Sequence, residues 1–153
     1  MTKKFRFALQ PVLEHRKRIE EERQQELAVA QLKLNEATAE LLRLHDAFRR
    51  NSNILREDHA TFDVEQLRLH YAHLEFLDRA ITVQEGVVTQ RKAEHEQARM
   101  RLLDASKEKK AMDKLKTRRF DAHLAAETIV EQRELDDNNA RRYSRTTAGG
   151  STS

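Results

Sequence analysis

The sequence predicts an all-α protein: a long antiparallel two-helix coiled-coil hairpin, with helix 2 overhanging helix 1 and a disordered tail behind it. Three observations carry that prediction. The composition is 36% charged and 5% aromatic, with three Gly and one Pro in 153 residues. That is too little bulky apolar material for a globular core, yet it is rich in Ala, Leu, Glu, Lys, Arg and Gln, the strongest helix formers. Apolar residues recur in two separate heptad seams, and one short polar segment breaks the pattern between them.

The first seam begins at Leu27. Leu27, Leu34, Leu41, Phe48 and Leu55 fill one heptad position, while Ala30, Ala37, Leu44 and Asn51 fill the other. A period of 3.5 residues implies left-handed supercoiling with a partner helix. Upstream, Val12 and Ile19 stand one position out of register, so the seam is expected to shift between residues 22 and 26. Pro11 suits the first turn of this helix, where its missing N–H has no intrahelical acceptor to lose. Helix 1 is therefore expected from about 11 to 57.

The break is expected at residues 58–62, with Thr61 or Asp63 as N-cap and Gln66 completing a capping box after Asp63. Helix 2 then runs from about 63 to 140. Its seam is Leu67, Leu74, Ile81, Val88 and Leu102, with Leu77, Ala98, Ala105 and Met112 at the second position. His70, Gln84, Arg91, His95 and Lys109 also fall on seam positions, and Gly86 lowers helix propensity by about 1 kcal/mol. This helix is expected to be the weaker partner. Neither stripe can be buried alone, so the two helices fold back on each other.

Their lengths, roughly 70 Å and 115 Å at 1.5 Å per residue, leave the distal part of helix 2 unpaired. Residues 110–140 are expected to project as a single helix, and Met112, Leu115, Ala122, Ala126 and Ile129 form an apolar stripe there that asks for a partner. Residues 1–140 thus read as one hairpin domain. From Arg141 onward "RRYSRTTAGGSTS" has no apolar period and is expected to be a disordered tail over 141–153.

Function classes narrow quickly. Basic and acidic residues, 29 and 26, are mostly interleaved, and a net charge of +3 gives little whole-molecule attraction to a polyanion. There is no Cys, no apolar run of membrane-span length and no apolar core of a signal peptide after Lys3 and Lys4, so cytosolic residence is the expectation. His70 and His73 share a helix face, but no Glu-x-x-His or HExxH pattern accompanies them. One seam histidine with a neighbour is the simpler reading, and no metal or cofactor is expected. No phosphate loop or nucleophile elbow appears, and a two-helix rod forms no enclosed pocket. No catalytic residues are expected.

Residues 107–119, "KEKKAMDKLKTRR", carry seven basic side chains against Glu108 and Asp113. An acidic protein surface or a nucleic acid could meet them. Nucleic acid would require cations along one continuous face with aromatics for stacking, and only Phe120 is near. A plain dimeric coiled-coil spacer is a third possibility.

The opening "FRFALQPVLEHRKRIEEERQQELAVAQ", the mid-chain "LHDAFRRN" and the distal "KEKKAMDKLKTRRFDAHLAAETIVEQRELDDNNARRYSR" resemble the flagellar export protein FliJ family, in that order and over nearly the whole chain. The resemblance implies a hairpin similar to the gamma-subunit coiled coil of F-type ATPases and to virulence secretion stalk proteins. It implies a cytoplasmic component of the flagellar type III export apparatus, peripherally associated with the inner membrane at the flagellar base and not inserted into it, with the equivalent stalk of a virulence type III secretion system as the alternative. The partners it implies are the export ATPase hexamer, the export-gate membrane protein and export chaperones, with no nucleic acid. Carried over by matching segments, the ring-facing residues are Phe5, Phe7, Leu9, Lys110, Leu115, Arg118, Arg119 and Ile129. The gate-facing residues are Leu41, Leu44, Phe48, His73, Leu77 and Ala80, of which Leu41 and Leu44 also serve the coil itself.

Overall fold

The computed structural model describes residues 3–150. Two helices account for almost all of them: α1 spans Gln10–Asp58 and α2 spans Val64–Ala148. Among the described residues there is no strand. The chain divides into two compact units, Arg18–Ser106 and Met1–Lys17 with Lys107–Ser153.

In the unit Arg18–Ser106 the two helices pack antiparallel along the expected seams. Leu44, Leu77 and Ile81 form its buried centre, with Leu41, Ala47, Phe48 and Ala80 packed against them. Every position of the two heptad seams within this unit is buried or half-buried, including the polar Asn51, His70, Gln84, Arg91 and His95. Side-chain chemistry explains how polar residues stay there. The Gln84 amide donates to the Ala37 carbonyl on the facing helix, and the Asn51 amide donates back to the Ala47 carbonyl. His70 lies with its ring 4.6 Å from that of Phe62.

The turn has the capping box the sequence calls for. The Gln66 backbone N–H donates to Asp63 Oδ1, and the Asp63 N–H donates to Gln66 Oε1. Two otherwise unpaired donors at the start of α2 are thereby satisfied. Thr61 closes α1 by donating from both its N–H and its hydroxyl to the Asp58 carbonyl. The helix ends differ from expectation by one residue at each side of the loop, the usual uncertainty of a frayed turn.

Local ion pairs three residues apart join Glu40 with Arg43 and Glu96 with Arg99, and the seam residue Arg91 pairs outward with Glu94. The guanidinium donating to each carboxylate holds Glu40, Glu94 and Glu96 below the usual carboxylate range.

Two expectations need correction. The first is the register of α1. Leu13 is buried and Val12 is 39% exposed, so Leu13, Arg16, Glu20, Arg23, Leu27 and Ala30 pack in unbroken heptad phase, with Ile19 half-buried beside them. No shift occurs at 22–26. The apolar pattern misled because Arg16, Glu20 and Arg23 occupy inward positions, where long stems pack while charged ends reach water. The second is the tail. α2 continues through Arg141 to Ala148, closed by a Gly149 N–H bond to the Arg145 carbonyl. Arg and Ala favour helix without any apolar period, and the hydroxyls of Ser144, Thr146 and Thr147 bond back to carbonyls of the preceding turn. Residues 151–153 lie outside the described residues.

Candidate functional site

The unit formed by the N-terminal segment and distal α2 is built around three aromatic or cationic contacts. Residues 3–9 precede α1 and alternate in exposure: Phe5 and Leu9 are half-buried and Phe7 is buried, while Lys4, Arg6 and Ala8 face solvent. Phe5 meets the edge of Phe120, ring centroids 5.2 Å apart, and lies 5.5 Å from the His123 ring. The Arg119 guanidinium sits 5.6 Å over the Phe7 ring. His123 Nε2 lies 3.0 Å from the Lys3 carbonyl oxygen and 3.1 Å from Glu127 Oε1. Both neighbours are acceptors, so Nε2 carries the hydrogen and donates it to Lys3. At the start of α1, Arg16 pairs with Glu108 of α2.

This arrangement covers one face of what the sequence predicts to be a bare helix. Met112 and Leu115 are half-buried, and the covering extends to Glu127. Ala122 and Ala126 stay exposed, as does Ile129 at 52%. Beyond Val130 the whole helix is solvated. The stripe is therefore partly filled by the chain's own first residues, which reach two turns further along α2 than Lys110 and Leu115.

Charge is concentrated in the same place. Residues 3–17 and 107–121 together hold twelve basic and four acidic side chains, a net charge of +8, against +3 for the whole chain. Lys107, Lys110, Lys114 and Arg118 recur at three- and four-residue spacing along one exposed face of α2. Arg119 points away from that ridge onto Phe7.

Of the ring-facing set, then, Phe5, Phe7, Leu9, Leu115 and Arg119 come together in one body, and Lys110 and Arg118 form part of the ridge beside them. Ile129 stands apart in solvent. Sequence reasoning missed His123 and Glu127 as partners of this cluster; their four-residue spacing on the face of Phe120 was the available signal.

The gate-facing set divides. Leu44 is 8% and Leu77 4% exposed, both inside the helix–helix seam, and Leu41, Phe48 and Ala80 pack around them. His73 is exposed and stacks at 6.3 Å on Phe76. A second apolar row runs beside the seam of α2: Leu69, Phe76 and Val83 are 69%, 62% and 69% exposed at seven-residue intervals, interleaved by His73, Ala80 and Val87. Spacings that alternate four and three define a second helix-packing face. The sequence contained this row, but the stronger seam next to it drew the reading.

Among the described residues no group of three His, Cys, Asp or Glu side chains is placed to hold a metal ion, and no helix is long and apolar enough to cross a membrane. The class defined by these features is an all-α, two-helix protein with a basic aromatic cluster in one unit and an exposed apolar helix face in the other. The model of the flagellar FliJ protein family matches residues 5–148, and the chain belongs to that family. It is thus a component of type III protein export. Among solved structures, CT670 from Chlamydia trachomatis, described as a YscO homologue, has a similar fold at a TM-score of 0.52 and 19% identity, over 95% of this chain and 99% of that one. A comparison with curated proteins gave no match.

Proposed function

We propose that this chain is the non-enzymatic central stalk of the flagellar export ATPase. Its basic aromatic end docks in the ATPase ring and promotes ring assembly and activity, and its other unit contacts the export gate and the chaperones of exported substrates. The observation that carries this reading is the junction of Phe5 with Phe120 and His123. In the free protein it brings together two segments that family resemblance separately assigns to the ring, with the ridge Lys107, Lys110, Lys114 and Arg118 beside them. An acidic lining of the ring would be its complement.

For the gate, the exposed row Leu69, Phe76 and Val83, with His73 and Ala80 at its edge, is the surface free to meet a partner. Leu41, Leu44, Phe48 and Leu77 belong to the seam cluster that also holds Ala80. A chain of this kind works on the cytoplasmic side of the inner membrane, held there by its partners.

Titrating the protein onto its cognate export ATPase tests the ring role. Wild type should co-elute with the ATPase and stimulate hydrolysis, whereas Leu115→Asp and Ile129→Asp should lose both. Absence of stimulation and co-elution with wild type would remove the ring reading. Binding lost only on neutralising the lysines and arginines, with a steep salt dependence toward RNA, would favour a nucleic-acid arm instead.

A further inference from the structure

Phe5, Phe7 and Arg119 cannot face a partner while they face each other. Phe7 is 8% exposed, beneath the Arg119 guanidinium, and Phe5 is turned against Phe120 and His123. We infer that residues 3–9 are a releasable strap: docked on α2 in the free protein, they leave it so that Phe5 and Phe7 exchange this intramolecular seat for a partner surface that carries carboxylates. This inference rests on the ring-docking reading given above.

Three features make the docked state reversible. The strap joins no regular structure; its backbone tie to α2 is the His123 bond to the Lys3 carbonyl, while the Gln10 and Leu13 N–H bonds to the Phe7 and Leu9 carbonyls fasten only its last residues to the start of α1. The seat is shallow, since Phe120 remains 41% exposed beneath the ring it holds. Such weakly tied, solvent-rich segments open locally without global unfolding. Charge also works against closure. Lys4 and Arg6 lie on the strap, and residues 107–121 of the helix it packs on carry seven basic side chains against Glu108, Asp113 and Asp121, a net excess of four positive charges. At the start of the strap Lys3 shares a groove of about 540 Å³ with Glu127, Glu131 and Glu134. A partner bearing carboxylates would relieve the repulsion along the rest, while its apolar surface received the two phenylalanines.

Electrostatic opposition gives a salt dependence opposite in sign to that of a salt-bridged latch, because screening weakens repulsion and favours closure. Trypsin cleavage after Arg6, followed by mass spectrometry, reads the open fraction; an unstructured peptide of residues 1–12 corrects for the protease's own salt response. Corrected cleavage should be independent of urea below the unfolding transition and should fall as salt rises from about 20 to 300 mM. Cleavage that follows global unfolding, or that rises with salt, overturns the strap.

The second arm uses the absence of native cysteine. Lys3→Cys with Glu127→Cys, bridged by a short bismaleimide, should hold the strap shut while leaving helicity intact. The bridged protein should bind the export ATPase at least about tenfold more weakly than the same double variant left unbridged. Equal binding of the two forms overturns strap release but leaves ring docking standing. If neither wild type nor unbridged variant binds, ring docking fails, and the trypsin result alone decides whether the strap opens.

Discussion

The side-chain amide of Gln84 donates a 3.0 Å hydrogen bond to the backbone carbonyl of Ala37, 47 residues away on the facing helix. The Ala37 carbonyl is already an acceptor within α1, so the bond adds register information more than it rescues an unpaired group. Replacing Gln84 by Leu should therefore leave stability unchanged or raise it by about 0.5–1 kcal/mol. Urea melts would check the midpoint; a loss of more than 1 kcal/mol would show that the amide is a structural necessity.

Gly86 offers a cleaner stabilisation. A methyl group at that position would meet no heavy atom within 4 Å, and the residue lies inside α2, where glycine costs about 1 kcal/mol relative to alanine. Gly86→Ala should raise the unfolding free energy by that amount. No change, or a loss, would mean that bending of α2 at this point matters to the folded hairpin.

Leu77 and Phe76 are adjacent in sequence and opposite in role. Leu77 is the most deeply buried side chain of the hairpin centre, at 4% exposure, while Phe76 is 62% exposed. Leu77→Ala should cost about 2–3 kcal/mol in a urea melt. Phe76→Ser should change stability by less than about 0.5 kcal/mol, yet weaken co-purification with the export gate. Comparable destabilisation by both substitutions would place Phe76 in the core and remove the exposed row as a docking face.

In the other unit, Phe5→Ser combined with Phe7→Ser should weaken ATPase co-elution while helical content by circular dichroism stays nearly constant. These side chains pack on one face of a helix whose backbone bonds are internal. Collapse of the whole thermal transition would assign them to the structural core.

Acid should loosen the hairpin gradually. Arg43, Arg91 and Arg99 hold Glu40, Glu94 and Glu96 below the usual carboxylate range, so these pairs contribute fully above the unfolded Glu value of about 4.3 and are lost as pH falls through the lower folded values. The melting temperature should be flat with respect to these pairs from neutral pH down to about 5 and decline below it, less steeply at high salt. All three carboxylates are solvent-facing, so the change should be small. Loss of stability beginning above pH 6 would point to histidines instead.

Sequence alone determined the elements and most of the seam. Heptad spacing set which residues of 27–55 and 67–105 face inward, and "DVEQ" set where α2 begins, because both are written in residues within two turns of one another. The same locality explains the two failures. Arg16, Glu20 and Arg23 look like surface residues but pack inward by their stems, and the helix at 141–148 shows no apolar period because it packs on nothing. Tertiary structure decided the rest. No local pattern says that Phe5 will rest on Phe120, 115 residues away, or that Lys3 will reach His123 and Glu127. Those contacts join segments more than a hundred residues apart in sequence that share one compact unit. The same packing gathers a net charge of +8 from a chain of +3 and leaves Phe76 outside while it buries Leu77. Periodicity gives each side chain a direction on its own helix; only the packed chain decides whether another side chain stands there to meet it.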